Sequence, residues 1–223
     1  MPSEQCDNLF DAQRQHWESK FTAKPSMFGD SPSDAAQQAL QVFRQAGVRN
    51  VLELGAGQGR DTLLFAESGF EVTALEYSRQ GIAGIDQRAA SKGLAKSIRA
   101  LCHDVRQPFP LASESFDACY SHMLCCMAMT DQELDQLFAE MHRVLRPGGL
   151  SIYTVRNLHD PLYGTGIKRG QDTYEISGGF IVHFFSEAMV HRLATGCRVL
   201  SVDDFEEGSE PKRLFRVTMC KSG

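Results

Sequence analysis

The sequence lacks what a membrane, a nucleic acid or a disulfide framework would require. No apolar run approaches the ~20 residues needed to span a bilayer. The first residues have neither a charged n-region nor an apolar h-region, so no signal peptide is expected. There is no basic excess: 23 Lys and Arg face 28 Asp and Glu, for a formal charge of −5. Binding by phosphate neutralisation normally shows the opposite balance. The seven cysteines (Cys6, Cys102, Cys119, Cys125, Cys126, Cys197 and Cys220) are odd in number and irregularly spaced. They contain no C-x-x-C pair, which argues against paired disulfides, a zinc ribbon or a thioredoxin-type site. Most should be reduced and buried as small hydrophobes. Repeats and low-complexity blocks are also missing. The expectation is a cytoplasmic globular chain with a small-molecule substrate, no nucleic-acid, membrane or metal partner, and a monomeric or homodimeric state.

What is present is a regular alternation. At 223 residues one domain is the default, with a core large enough to need no staples. Residues 1–32 read as a polar arm, irregular or partly helical, carrying Phe10, Trp17, Phe21 and Phe28. Ser33 can cap a helix to about residue 46, with Ala36, Ala39, Leu40 and Phe43 on one face. Strands are predicted at 51–54, 70–75, 98–102, 116–120 and 150–155. Helices are predicted at 60–68, 79–92 and 130–145. Thr130 and Glu133 have the spacing of a capping box. Short apolar strands between amphipathic helices imply an α/β fold, a Rossmann-like doubly wound sheet with helices on both faces. Residues 156–184 break the pattern as a long, glycine-bearing, lid-like insert. A helix capped by Ser186 follows, then strands at 198–205 and 214–220 joined by an acidic turn at 206–211. That short join suits a hairpin. The sheet should therefore have seven strands, mostly parallel, with an antiparallel strand at the C-terminal end.

The informative segment is Val51-Leu52-Glu53-Leu54-Gly55-Ala56-Gly57-Gln58-Gly59-Arg60-Asp61. It follows a strand and opens a helix, the context that gives a glycine motif meaning. A dinucleotide fingerprint would read G-x-G-x-x-G/A, but here the third glycine comes one residue early and Arg60 takes the sixth place. Glu53 suits a ligand bearing positive charge better than a phosphate. Two more acids end the next strands. Glu76 can accept both hydroxyls of a ribose, and Asp104 can accept from an adenine amino group. Three acids at three successive strand ends describe a nucleoside site without phosphate.

These segments, together with 116–122 and Val-Leu-Arg-Pro-Gly-Gly-Leu-Ser-Ile-Tyr-Thr-Val at 144–155, resemble the ordered motifs of class I S-adenosylmethionine-dependent methyltransferases. Arg-Pro-Gly-Gly-Leu before the fifth strand is similar to the small-molecule branch. The aromatic arm and the C-terminal Glu206-Glu207-Gly208…Leu214-Phe215-Arg216-Val217 look similar to tellurite-resistance and thiopurine-type members. The resemblance implies S-adenosyl-L-methionine as cofactor and S-adenosyl-L-homocysteine as product. It implies that Glu53, Gly55, Ala56, Gly57 and Gly59 bind the amino-acid half, that Glu76 takes the ribose, and that Tyr77, Asp104 and Val105 surround the adenine. Ser121 and His122 would line the transfer chamber, with His122 the candidate catalytic residue.

Transfer from a sulfonium is an in-line displacement, so the protein chiefly aligns the reacting atoms. A base is needed only for a protonated nucleophile; a thiolate or metalloid oxyanion needs none. Candidate substrate-pocket residues are Trp17, Phe21, Phe28, Cys126, Arg156, Tyr163, Tyr174 and His183. Adjacent Cys125 and Cys126 could meet a soft metalloid, although their apolar surroundings favour core packing. The implied function is methyl transfer to a small molecule or a metalloid or thiol acceptor. The alternatives are an NAD(P)-dependent oxidoreductase and a non-catalytic S-adenosylmethionine-binding protein.

Overall fold

A computed structural model describes residues 3–208 and 212–223, with side chains from residue 12 onward. Its first element is a helix, α1 (Ser3–Ala23), where the sequence suggested a partly irregular arm. No Gly or Pro interrupts this stretch before Pro25, and burial of Phe21 gives the helix a reason to dock. Phe10 and Cys6 lie outside the described side chains. Helix α2 (Asp34–Gln45) is capped by Ser33, whose hydroxyl accepts from Ala36 N–H. Ser33 is itself held by buried Asp61, which accepts from its N–H and its hydroxyl at 2.8 Å each.

The alternation then runs β1 (Asn50–Leu54), α3 (Arg60–Glu67), β2 (Glu71–Glu76), α4 (Arg79–Ser91), β3 (Ile98–Cys102), β4 (Phe116–His122), α5 (Asp131–Val144) and β5 (Leu145–Arg156). The capping box of Thr130 and Glu133 is formed at the start of α5. Strand β5 begins before residue 150 because Leu145 pairs with Phe116, after which the register shifts and Ala118 meets Leu150.

The predicted connection at 156–184 contains a three-stranded antiparallel sheet of its own: β6 (Ile167–Gly170), β7 (Thr173–Glu175) and β8 (Ile181–His183). Strands of three or four residues are too short to display a period of two, so sequence pattern could not reveal them. Helix α6 (Glu187–Leu193), β9 (Cys197–Glu207) and β10 (Lys212–Lys221) complete the chain. Part of the acidic turn, residues 209–211, lies outside the described residues.

The main sheet has seven strands in the order β3-β2-β1-β4-β5-β10-β9. Strands β1 to β5 are parallel, and β10 runs antiparallel to both of its neighbours. Side chains alternate across it. Val51, Val72, Tyr120 and Ile152 meet the apolar face of α2 and α3. Leu52, Leu54, Cys119, Tyr153 and Val155 meet α5 and α6 on the other side. Strand order reverses between β1 and β4, and ligands of open α/β sheets bind beyond the strand ends at such a switch point.

Helix α1 and the small sheet come together above that point. Trp17 packs on Phe180 with ring centroids 4.9 Å apart and touches Phe21 and Phe28. Gln13 bridges the two elements: its Nε2 donates to Gly179 O at 3.0 Å, and its Oε1 accepts from Ile181 N–H at 3.4 Å.

Candidate functional site

A cavity of about 650 Å³ lies between the carboxyl ends of β1, β2 and β4 and the α1–small-sheet roof. Its floor is the turn after β1. Gly55 and Gly57 have φ of +69° and +55°, a region that L side chains avoid. A Cβ on Gly55 would come within 2.9 Å of the Leu124 side chain. Gly59 plays a different part. It does not line the cavity, and a Cβ there would meet Ile85 Cγ1 at 2.7 Å. Its bareness lets α3 and α4 pack closely, so the expected cofactor contact gives way to a packing role. Gly81 is a similar case, since a Cβ there would lie 2.6 Å from Gly57 O. Its presence in α4, weakening by propensity, lets the helix approach the turn.

Four of the turn's N–H groups are already engaged. Those of Gly55 and Ala56 donate to Leu75 O, and that of Gly59 to Ala56 O. Gly57 N–H donates to Glu76 Oε2 at 2.8 Å. A pyrophosphate would need such donors free. Glu76 Oε1 accepts from Ser78 N–H at 2.8 Å. Burial raises the Glu76 carboxyl to about 7 even against these hydrogen bonds. Glu53 is also buried and accepts from Thr62 Oγ1 at 2.5 Å. Burial, then the charge of Asp61, pushes it well above the carboxylate range. Neither Glu53 nor Glu76 has a basic side chain bonded to it among the described residues. A buried, under-compensated acidic floor suits a cationic ligand. The donor set therefore fits S-adenosylmethionine, which carries a sulfonium and an ammonium.

Tyr77, Asp104 and Val105 line the cavity beside β2 and β3. Asp104 is gripped by Arg106, whose Nη2 lies 2.7 Å from Oδ2. Burial works to raise Asp104, but the Arg106 hydrogen bonds outweigh it and hold the carboxyl below its usual value.

At the far end, His122 lines the cavity and sits between Thr154 and Glu207. Its Nδ1 is 2.9 Å from Thr154 Oγ1, and its Nε2 is 3.1 Å from Glu207 Oε2. Met123 N–H donates to the same Thr154 hydroxyl at 3.0 Å, which directs the hydroxyl hydrogen towards Nδ1. Nε2 then carries the ring proton and donates to Glu207; the tautomer follows from this network. Burial would raise Glu207, but the hydrogen bond from His122 opposes it and the carboxyl lies below its ordinary value. Sequence reasoning did not find Glu207. It lies in an acidic stretch at the end of β9, and nothing local shows that it reaches β4.

Of the proposed pocket residues, Trp17, Phe21, Phe28 and Arg156 line the cavity; Cys126, Tyr163, Tyr174 and His183 do not. Cys126 and Cys125 are fully buried, and burial drives their thiols up to about 11 and about 12. Ser121 is fully buried too, 3.8 Å from Cys125 Sγ, and is not part of the wall. Tyr163 donates to Asp172 and packs on Tyr174 within the insert. The insert faces the cavity instead with Ile176, Phe180 and Val182.

Residues 51–149 match a family model described as a methyltransferase domain. Phosphoethanolamine N-methyltransferase 1 of Triticum aestivum is 30% identical over 145 residues, 61% of this chain and 28% of that protein. A malonyl-[acyl-carrier protein] O-methyltransferase of Enterobacter lignolyticus is 34% identical over 123 residues, 55% of this chain and 43% of its own length. The chain thus spans less than half the length of these curated relatives. The 1,6-didemethyltoxoflavin-N1-methyltransferase of Burkholderia thailandensis, crystallised with 1,6-didemethyltoxoflavin and S-adenosylhomocysteine, superposes with a TM-score of 0.71. It is 20% identical and covers 96% of this chain and 91% of that one, a likeness of fold. No helix among the described residues is long and apolar enough to cross a membrane. With its seven-stranded sheet, its glycine turn over buried acids and a methyltransferase domain matched over residues 51–149, the chain is similar to the class I S-adenosylmethionine-dependent methyltransferases.

Proposed function

We infer that this chain transfers the methyl group of S-adenosylmethionine to a small-molecule acceptor whose nucleophile is protonated at working pH. The observation that carries this reading is the pair Glu53 and Glu76, buried with no basic side chain bonded to either among the described residues, beneath the Gly55–Gly57 turn and opening into the cavity that Glu207 also lines.

The cofactor supplies an already activated methyl group on a cationic sulfur. Glu76 has acceptor capacity beyond that taken by backbone N–H groups, and this receives the ribose hydroxyls. Gly55, Ala56 and Gly57 keep the wall free of side chains for the amino-acid half, with Glu53 beneath it. Tyr77, Asp104 and Val105 border the adenine. Trp17, Phe21 and Phe28 exclude water above. Both ring nitrogens of His122 are engaged, so His122 acts as a positioning residue. Glu207 Oε1 has no partner among the described residues and takes the acceptor's proton. We read residues 1–223 as one domain, with α1 and the 156–184 insert as its cover.

This arrangement favours a hydroxyl or amine acceptor over a thiolate or metalloid oxyanion, which would need no proton acceptor. The two curated relatives are named for N- and O-methylation. The buried Cys125 and Cys126, walled off from the cavity, lend no support to metalloid chemistry. The deciding experiment is a screen with methyl-labelled cofactor across amines, phenols, carboxylic acids, thiols and arsenite. Transfer to amines or oxygen acceptors, lost in Glu207→Gln, is expected; transfer confined to thiols or arsenite overturns the acceptor class. Calorimetry with S-adenosylhomocysteine and with NADH separates this reading from an oxidoreductase.

A further inference from the structure

Arg156 ends β5 and lines the cavity, yet only 6% of the residue is exposed. A buried guanidinium normally has its five donors answered. This one does not. Nη1 reaches Asp160 Oδ1 at 3.4 Å, longer than the 2.7–2.9 Å of a charge-assisted bond. Nε is buried with no hydrogen-bond partner, and Nη2 has none among the described residues. Asp160 is occupied elsewhere: Oδ1 accepts from Leu162 N–H at 2.9 Å and Oδ2 from Arg213 N–H at 3.1 Å. It is a neighbour that tempers the charge without filling the fork.

The position is informative. Arg156 stands two residues beyond Thr154, on the same face of β5, and Thr154 holds His122. The strand rise places it about 7 Å farther along the strand than that hydroxyl. The Arg156 side chain is almost wholly withdrawn from solvent, so a charge held there is poorly screened.

We propose that Arg156 is the recognition group for a carboxylate or phosphate borne by the methyl acceptor, a few bonds from its nucleophile. The ligand's place as acceptor rests on the methyl-transfer reading; the anion site itself does not. An oxyanion reaching Arg156 from the cavity would answer the unpartnered Nε–Nη2 edge in bidentate geometry, a fit that a neutral amide cannot supply.

The test uses benzoate, phenyl phosphate and benzamide as probes at one ionic strength, with and without S-adenosylhomocysteine. Binding is read by calorimetry and by fluorescence of Trp17, the single tryptophan, which lines the cavity. Benzoate and phenyl phosphate should bind at least tenfold tighter than benzamide. Arg156→Gln should erase that margin, and Arg156→Lys should keep part of it as a point charge. Equal affinity for benzoate and benzamide in the unmodified protein, no binding by any probe, or a preference surviving in Arg156→Gln would overturn the proposal. If Arg156→Gln does not fold, the acid–amide comparison and Arg156→Lys still decide. S-adenosylhomocysteine binding is read separately: its absence alongside intact acid preference sinks the methyl-transfer reading and leaves the anion site. The reverse result does the opposite.

Discussion

The Glu76 carboxylate at the tip of β2 accepts the Gly57 N–H at 2.8 Å and so ties the glycine turn to the neighbouring strand. One residue thereby shapes the floor of the cavity and offers acceptors to a ligand resting on it. It also removes from the turn the donor that a phosphate would seek.

Binding of S-adenosylhomocysteine should strengthen as pH rises through about 7, where burial has placed the Glu76 carboxyl. Ligand hydroxyls donate to its charged form, so binding draws off a proton and weakens by up to tenfold per unit of falling pH below that value. Folding stability runs the other way. The native pKa lies above the ordinary 4.5, so the neutral acid favours the fold at low pH, and that advantage is lost as pH rises from 4.5 through 7. Calorimetry from pH 6 to 8.5 checks the first effect, and Glu76→Gln should flatten it.

Gly57 and Gly59 should fail in different ways. Gly57→Val adds bulk facing the cavity at a φ of +55°, and S-adenosylhomocysteine affinity should drop at least tenfold. Gly59→Ala drives a Cβ against Ile85 at a φ of +86°, costing about 1–3 kcal/mol of stability. Its folded fraction should bind the ligand nearly normally. Thermal melts beside titrations separate the two, and a large affinity loss in Gly59→Ala would return that residue to the binding surface.

Glu207→Gln keeps the shape of the His122 partner but removes the proton acceptor. With an oxygen or amine acceptor, kcat should fall by about 10²–10³ while the melting temperature and cofactor affinity hold. His122→Gln should fall less, since it disturbs only the placement of Glu207. Single-turnover rates across pH provide the measurement; an unchanged rate in Glu207→Gln removes the carboxylate from the chemistry.

Native thiols should label in order of exposure. Cys102 is exposed, whereas Cys125 and Cys126 are fully buried with thiols raised to about 12 and about 11. Labelling followed by mass spectrometry at pH 8 should mark Cys102 within minutes and the adjacent pair only on denaturation. Rapid native modification of Cys126 would place it on an open wall.

The sheet was legible because each strand has its own apolar run and each main helix a cap or a stop. Ser33, Thr130 and Ser186 do at the helix starts what their spacing suggests. The floor of the site was legible for the same reason, since Glu53, Gly55, Gly57, Glu76 and Asp104 sit at strand ends that the alternation locates. What escaped depends on distant packing. Gly59 looks like a ligand contact until Ile85 is seen behind it, and Ser121 points into the core beside Cys125 instead of the chamber. Glu207 reaches His122 across three strand pairings that no local pattern announces. The small sheet of the insert is too short to carry a period, so Tyr163, Tyr174 and His183 could not be told from Phe180, which alone of these faces the cavity.

The Gln13 amide clasps the backbone of the insert at both Gly179 and Ile181, as a neighbouring strand would. Each such bond contributes only about 0.5–1.5 kcal/mol net, so this is a latch light enough to spring without disturbing the sheet. With the rings of Trp17 and His16 still packed on Phe180, Gln13→Ala should loosen the insert's backbone at 179–181, read as faster amide hydrogen exchange there, while leaving the floor intact.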